Sequence, residues 1–381
     1  MVLNVDRVID VEMERMNEDT RRIVKGLVDD LKSRESVVSI GLFGSWSRGE
    51  AVQGSDVDLL VVDSRNLDYE YVERAEIDGT FLDLNYIPER WIRREFPPEI
   101  DQKLYEAEIL YDPDEALKMA KETIMKIMWQ PERVEIRTGK HLVEADILLS
   151  RGLSAYGKED YQSAKLNATL GLDAIMKIPM EAGKVSFSNS HFLRSLKESA
   201  EGLGLKDLYG EYLTVTGLSE VNERKAEEIC NDLIEMWSAA IECVKANSQI
   251  ANDLHGEVLS SLNFYCKKSF LHGMVARVHS LLREGFPAEA VHYMMRASVS
   301  MLENYAFLLA RVEGTRFDYV TLLKNLRDSR ISPSAVYEKA LKVFMLESVS
   351  LQDAQSSLEK AREIILEIRK KRKKLIAQLS S

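Results

Sequence analysis

The chain has 381 residues, enough for two or three domains, and its 45% hydrophobic content is ordinary for a globular protein. Its 62 acidic against 51 basic residues give a formal net charge of -11, so the surface as a whole repels a phosphate backbone and a nucleic-acid partner is disfavoured. The one dense basic run, "RKKRKK" at 369–374, reads as a solvated helix end with cations at its negative pole. Cys230, Cys243 and Cys266 lie too far apart for a zinc site or a disulfide frame and read as thiols of a reducing compartment. No run of eighteen apolar residues occurs, and "MVLNVDRVIDVEMERM" is charged too early for a signal peptide. A cytoplasmic protein with no membrane span is expected.

Between Thr20 and Ser33 the apolar residues Ile23, Leu27, Val28 and Leu31 recur at helical spacing and predict an amphipathic helix. "VVSIGLF" then reads as a strand ending at Gly44, and "VDLLVV" as the next. "YVERAEIDGTFLDLNYI" predicts a β-hairpin, because Asp78-Gly79 supplies the two positive-φ positions of a tight turn. A last short strand is expected at "EILYD", stopped by Pro113.

From about Ala116 the apolar period changes to three or four, as at Ile229, Leu233, Trp237, Ile241 and Val244. Nearly all that follows reads as helix, broken at "MEAGKVSFSNS", near "TVTGLSE", around "ANSQIANDLHG" and at "RISPS". Two helix–Gly break–helix stretches, with Ala164 and Ala290 in matching places, suggest two similar bundles. The expected class is α+β: a mixed sheet with flanking helices over 1–118, then all-α bundles over 119–250 and 251–381.

The chemistry concentrates in "GLFGSWSRGEAVQGSDVDLLVV". Asp56 and Asp58, at i and i+2 of a strand, project from one face, while Val57, Leu59 and Val61 anchor the other. Two adjacent carboxylates repel unless a cation lies between them, and a hard divalent ion, Mg²⁺ above all, suits that donor set. Gly44-Ser45, just past a strand, lets backbone amides approach a phosphate, and "WSRGEA" reads as the first turn of a short helix whose positive end favours the same anion. Arg48 adds charge there or pairs with Glu50; Trp46 packs or stacks on a base. Asp83, between Leu82 and Leu84, is a third acid in an apolar strand. Three such acids suit in-line displacement at an α-phosphate, with pyrophosphate leaving.

Gly44-Ser45, Arg48-Gly49, the "SDVDLLV" strand and Asp83 together resemble the DNA polymerase β-like nucleotidyltransferase superfamily, nearest its minimal and kanamycin nucleotidyltransferase-like branches. The resemblance covers roughly Ile23 to Pro113. It implies that Gly44 and Ser45, with Arg48, bind the nucleotide, that Asp56, Asp58 and Asp83 are the catalytic carboxylates and hold two Mg²⁺ ions, and that Asp83 is ligand or base. It also implies a helical second domain on the acceptor side, where Glu135 and Glu144 are candidates for the base that the kanamycin-type enzymes draw from such a domain.

The expected function is metal-dependent transfer of a nucleoside monophosphate, AMP from ATP or its counterpart from another NTP, to a hydroxyl on a small molecule or protein. The alternative is a non-catalytic, nucleotide-sensing or antitoxin-like protein that binds a partner through its helical bundles; under either reading the bundles also offer a surface for a homodimer. A HEPN-type ribonuclease is disfavoured because its Arg, four to six residues, His signature is missing: Arg133 to His141 and Arg283 to His292 are too widely spaced. The six histidines read as ordinary helix residues.

Overall fold

A computed structural model describes residues 16–51, 55–186 and 188–380. The N-terminal stretch read above as no signal peptide lies, up to residue 15, outside the described residues. The chain divides into two compact units, 1–133 and 134–381.

In the first unit, α1 (Glu18–Lys32) starts where the Asn17 side chain accepts the Thr20 N–H, and it buries Ile23, Val24, Val28 and Leu31. The sheet comprises β1 (Val37–Phe43), β2 (Val57–Asp63), β3 (Tyr71–Ile77), β4 (Thr80–Pro88) and, after α2 (Asp101–Glu106), β5 (Glu108–Tyr111). Its strand order is β3-β4-β2-β1-β5. Only β2 and β4 pair in parallel; the β1–β2, β1–β5 and β3–β4 pairs are antiparallel. The β3–β4 turn has Asp78 at φ 49° and Gly79 at φ 77°, the two positive values expected of that dipeptide.

Alternation along the strands gives each face its own core. Val57, Leu59 and Val61 of β2 join Leu82, Leu84 and Tyr86 of β4 in one buried cluster with α1. Leu60 and Val62 join Phe43, Ile87, Leu104 and the helix α3 (Ala116–Ile127) in another. Asp58 and Asp83 are therefore on the α3 side of the sheet, as the alternation dictates.

The second unit is helical. Helix α4 (Pro131–Gly157) and α5 (Tyr161–Ala182) are followed by ten further α-helices among the described residues, the longest being Glu223–Ala246, Pro287–Val312 and Leu351–Ala377. All four expected breaks occur, together with others between short helices. The first unit extends past the expected end at 118 because α3 contributes Ala120 and Ile124 to the sheet's core. Residues from both stretches expected as bundles, 119–250 and 251–381, join one large cluster, in which Trp237, Tyr212 and Tyr305 are all fully buried. Ala164 and Ala290, the matching positions of the two helix pairs, are both in it.

One histidine departs from the ordinary-helix reading. His292 is 3% exposed, stacked on Phe192 at 4.6 Å between centroids, with Nε2 3.4 Å from Asp173. Asp173 also accepts from the Tyr212 hydroxyl at 2.7 Å and from Arg296 at 3.5 Å. Although buried, its carboxyl is held below the usual range by His292 and Arg296. Tyr212 and Arg296 satisfy the Asp173 carboxylate, whereas neither ring nitrogen of His292 has a hydrogen-bond partner among the described residues, so the ring is held by packing on Phe192 and by the charge of Asp173.

Candidate active site

Register sets the site. In the parallel pair, Asp58 is directly opposite Asp83; in the antiparallel pairs, Asp83 is opposite Arg74 and Asp58 is opposite Phe43. Arg74, Asp83, Asp58 and Phe43 thus form one row across four strands, and Asp56 comes one residue before β2.

Arg74 was not among the residues singled out from sequence. Its Nε donates to Asp83 Oδ1 at 2.6 Å and its Nη2 to Asp83 Oδ2 at 2.5 Å, and the same Nη2 also pairs with Asp56. Its side chain is 5% exposed. A planar guanidinium that bridges two carboxylates satisfies both charge and hydrogen bonding in a site shielded from water. The sequence signal was available: an Arg in the β3 half of a hairpin whose register can be counted back from the Asp78-Gly79 turn to Asp83.

Asp58 is in a different state. Burial first, then the negative charges of Asp83 and Asp56, push its carboxyl well above the usual carboxylate range, against the opposing pull of Arg74 and Lys103. Lys103 itself pairs with Glu70, contacts Asn85 Oδ1 at 3.2 Å, and lies 5.5 Å from the Phe43 ring centroid. The carboxylate of Asp58 fills the space beside Gly44: a β-carbon on that glycine would collide with Asp58 Oδ2. Gly44 has φ 78°, a left-handed conformation that favours glycine independently.

Beyond Gly44 the structure corrects one expectation. Residues 45–49 form a turn, not the start of a helix: Arg48 N–H donates to Gly44 O at 3.2 Å, Glu50 N–H to Ser45 O at 2.9 Å, and Gly49 takes φ 71°. A glycine in the left-handed region at 49 ends the turn before a second one can form. Ser45 is buried, and Trp46 packs against the α1-side core. Residues 52–54 lie outside the described residues.

Arg48 pairs with Glu50 at 2.8 Å, as one reading allowed, and with Glu106 at 2.6 Å. Glu106, the last residue of α2, was not anticipated. Its Oε2 also accepts the Gly44 N–H at 3.3 Å, and its Oε1 accepts from Gln102 at 2.8 Å. Nothing local in the sequence marks Glu106, which reaches this turn from 62 residues away.

Asp56, Asp58 and Asp83 supply hard oxygen donors, and the half-buried Asp58 is destabilised as an anion by desolvation and by its two neighbours. That donor set suits a small divalent cation. In their present placement Asp56 and Asp83 are gathered onto Arg74, and among the described residues no group of three or more Asp, Glu, His or Cys side chains is arranged to hold an ion.

Residues 24–127 match the model of the nucleotidyltransferase domain family. The first unit carries a nucleotidyltransferase domain. Its mixed five-stranded sheet, followed by helices, is the α+β arrangement expected. The crystal structure of a nucleotidyltransferase-like protein from Exiguobacterium sibiricum 255-15 is similar over 84% of this chain and 87% of that one, at 11% identity and a TM-score of 0.33. That likeness is too remote to carry an inference. No curated protein matches the chain.

The candidates for a helical-unit base lie outside the nucleotidyltransferase domain. Glu144 is pulled down to about 2 by His141, whose Nδ1 is 4.0 Å away, and by the Lys177 and Arg296 charges, which makes it a weak proton acceptor. The Glu135 side chain is 57% exposed, 4.0 Å from Arg372. No helix of the described residues is long and apolar enough to cross a membrane.

Proposed function

We propose that the nucleotidyltransferase domain moves a nucleoside monophosphate, AMP from ATP, to a hydroxyl on a small molecule or protein. The observation that carries this reading is the row in which Asp58 and Asp83 face each other across β2 and β4, beside the Gly44 turn. Asp56, Asp58 and Asp83 would hold Mg²⁺, and Gly44, Ser45 and Arg48 would bind the donor phosphates. When bound, the metal would supply charge stabilisation for the α-phosphate and a lowered pKa for the acceptor hydroxyl.

The chain's own groups do the rest. Gly44 keeps the backbone close to the carboxylates because no β-carbon fits there. Arg74 holds Asp56 and Asp83 on the reacting side of the sheet, so neither has to be reoriented from solvent. Asp83 accepts two hydrogen bonds from Arg74, which fix the orientation of its carboxyl group.

One observation favours a second reading. Arg74 already pairs with two of the three carboxylates, which suits a domain that senses nucleotide without turning it over. Heat stabilisation by ATP with Mg²⁺, followed by a pyrophosphate-release assay, separates the two: release supports the transferase, and binding without release supports the sensor. Labelled ATP incubated with the protein and a cell extract then identifies the acceptor class, by whether label enters protein, RNA or a small molecule.

A further inference from the structure

The turn proposed above to bind donor phosphate already holds an anion. Glu106 Oε2 accepts the Gly44 backbone N–H at 3.3 Å and receives Arg48 Nη1 at 2.6 Å. Those are the two donors, one main-chain and one cationic, that the donor-binding reading assigns to a phosphate oxygen. The carboxylate is 4% exposed as a side chain, so it fills the turn rather than resting at its rim.

We propose that Glu106 is an internal competitor for the donor phosphates, setting the affinity of the site by occupying the Gly44–Arg48 anion position until a more highly charged group displaces it. The inference rests on the reading of this turn as the donor site.

Three features support displacement over a fixed strut. Glu106 is the last residue of α2, a six-residue helix, and Ala107 leaves the helical conformation at ψ 119°, so the side chain is held at a helix terminus and not inside a long element. Burial raises its carboxyl above the usual value despite Arg48, Gln102 and the Gly44 amide, which marks the contact as incompletely compensated. Arg48 keeps a second partner, Glu50 at 2.8 Å, so it remains oriented when Glu106 moves away. A triphosphate brings several charges to a position filled by the single charge of Glu106, and that difference in charge selects it over a monoanion or a neutral nucleoside.

The test measures binding of inorganic tripolyphosphate, ATP with Mg²⁺, and adenosine to the full chain and to Glu106→Gln, Glu106→Ala and Arg48→Ala by calorimetry, with thermal melts to establish folding. Glu106→Gln is nearly isosteric and keeps the comparison valid if Glu106→Ala does not fold. Both Glu106 variants are expected to bind tripolyphosphate and ATP about tenfold more tightly than wild type, with adenosine unchanged and Arg48→Ala weakened. Wild type that binds ATP while the Glu106 variants bind it equally or more weakly overturns the proposal and leaves the donor reading standing, with Glu106 a strut for Arg48. No binding of either phosphate compound by any of the four proteins overturns the donor reading and the proposal with it.

Discussion

Gly44 and Asp58 interlock: the carboxylate of Asp58 takes the volume that a side chain at Gly44 would need. The relationship ties the backbone at the end of β1 to the acid at the start of β2, whose strands pair through Phe43 and Asp58. Gly44→Ala would meet both this collision and a φ of 78°. It is expected to destabilise the chain by about 1–3 kcal/mol and to weaken nucleotide binding further than that loss explains, because Asp58 must turn aside. Urea unfolding and ATP calorimetry on the same preparation test this; an alanine variant with wild-type values in both would refute the interlock.

Asp58 also predicts a pH dependence. Its folded-state carboxyl stands above the unfolded value of 3.8, so the folded chain binds the extra proton. The stability it contributes is complete below that unfolded value and is lost as pH rises through the raised folded value. In metal-free buffer, Asp58→Asn is therefore expected to match wild type in strong acid and to exceed it at neutral pH. Melting temperatures of the two proteins across the range give the sign directly, and a variant less stable at neutral pH contradicts the assignment. Pyrophosphate release should fall by orders of magnitude in the same variant.

Arg74 offers the complementary experiment. Removing one partner of a buried ion pair strands the other, at a cost of about 3–5 kcal/mol, and Arg74→Gln would strand both Asp56 and Asp83. Divalent ions should restore more stability to this variant than to wild type, since they supply the missing positive charge. Equal Mg²⁺ or Mn²⁺ stabilisation in both proteins would mean that the carboxylates do not share a cation.

Domain boundaries give a fourth outcome. A fragment ending at 118 keeps Ala116 and Leu117 but loses Ile124 and Met128, all buried in the α3-side core. Each of those two large side chains is worth about 1.5–3 kcal/mol, a large part of a typical domain's 5–15 kcal/mol. Residues 1–133 should give a cooperative unfolding transition and 1–118 should not. Circular dichroism during urea titration decides it.

The sequence was legible where information is local. The alternation of "VDLLVV", the Asp78-Gly79 turn and the Gly44 break each act within a few residues, and β1, β2 and the hairpin appear where they direct. Asp58 and Asp83 share one face because the parallel register sets them directly opposite each other, and alternation then keeps both on that side. Arg74 and Glu106 were missed for another reason: a charged residue in a strand or at a helix end looks the same whether it meets water or a partner, and only strand register and the packing of α2 decide between these. The large cluster shared across the helical unit was equally illegible, because helical periodicity shows that a face is buried and not which helices cover it.

The Arg74–Asp83 pair lies within one hairpin, nine residues apart. Closing so short a loop is fast and costs little chain entropy, so the acid can acquire its counter-ion as soon as the hairpin zips. Docking β2 onto β4 then brings Asp58 toward a carboxylate whose charge is already answered. A chain in which the hairpin closes before the parallel pairing would bring Asp58 to Asp83 only after Arg74 had engaged the latter.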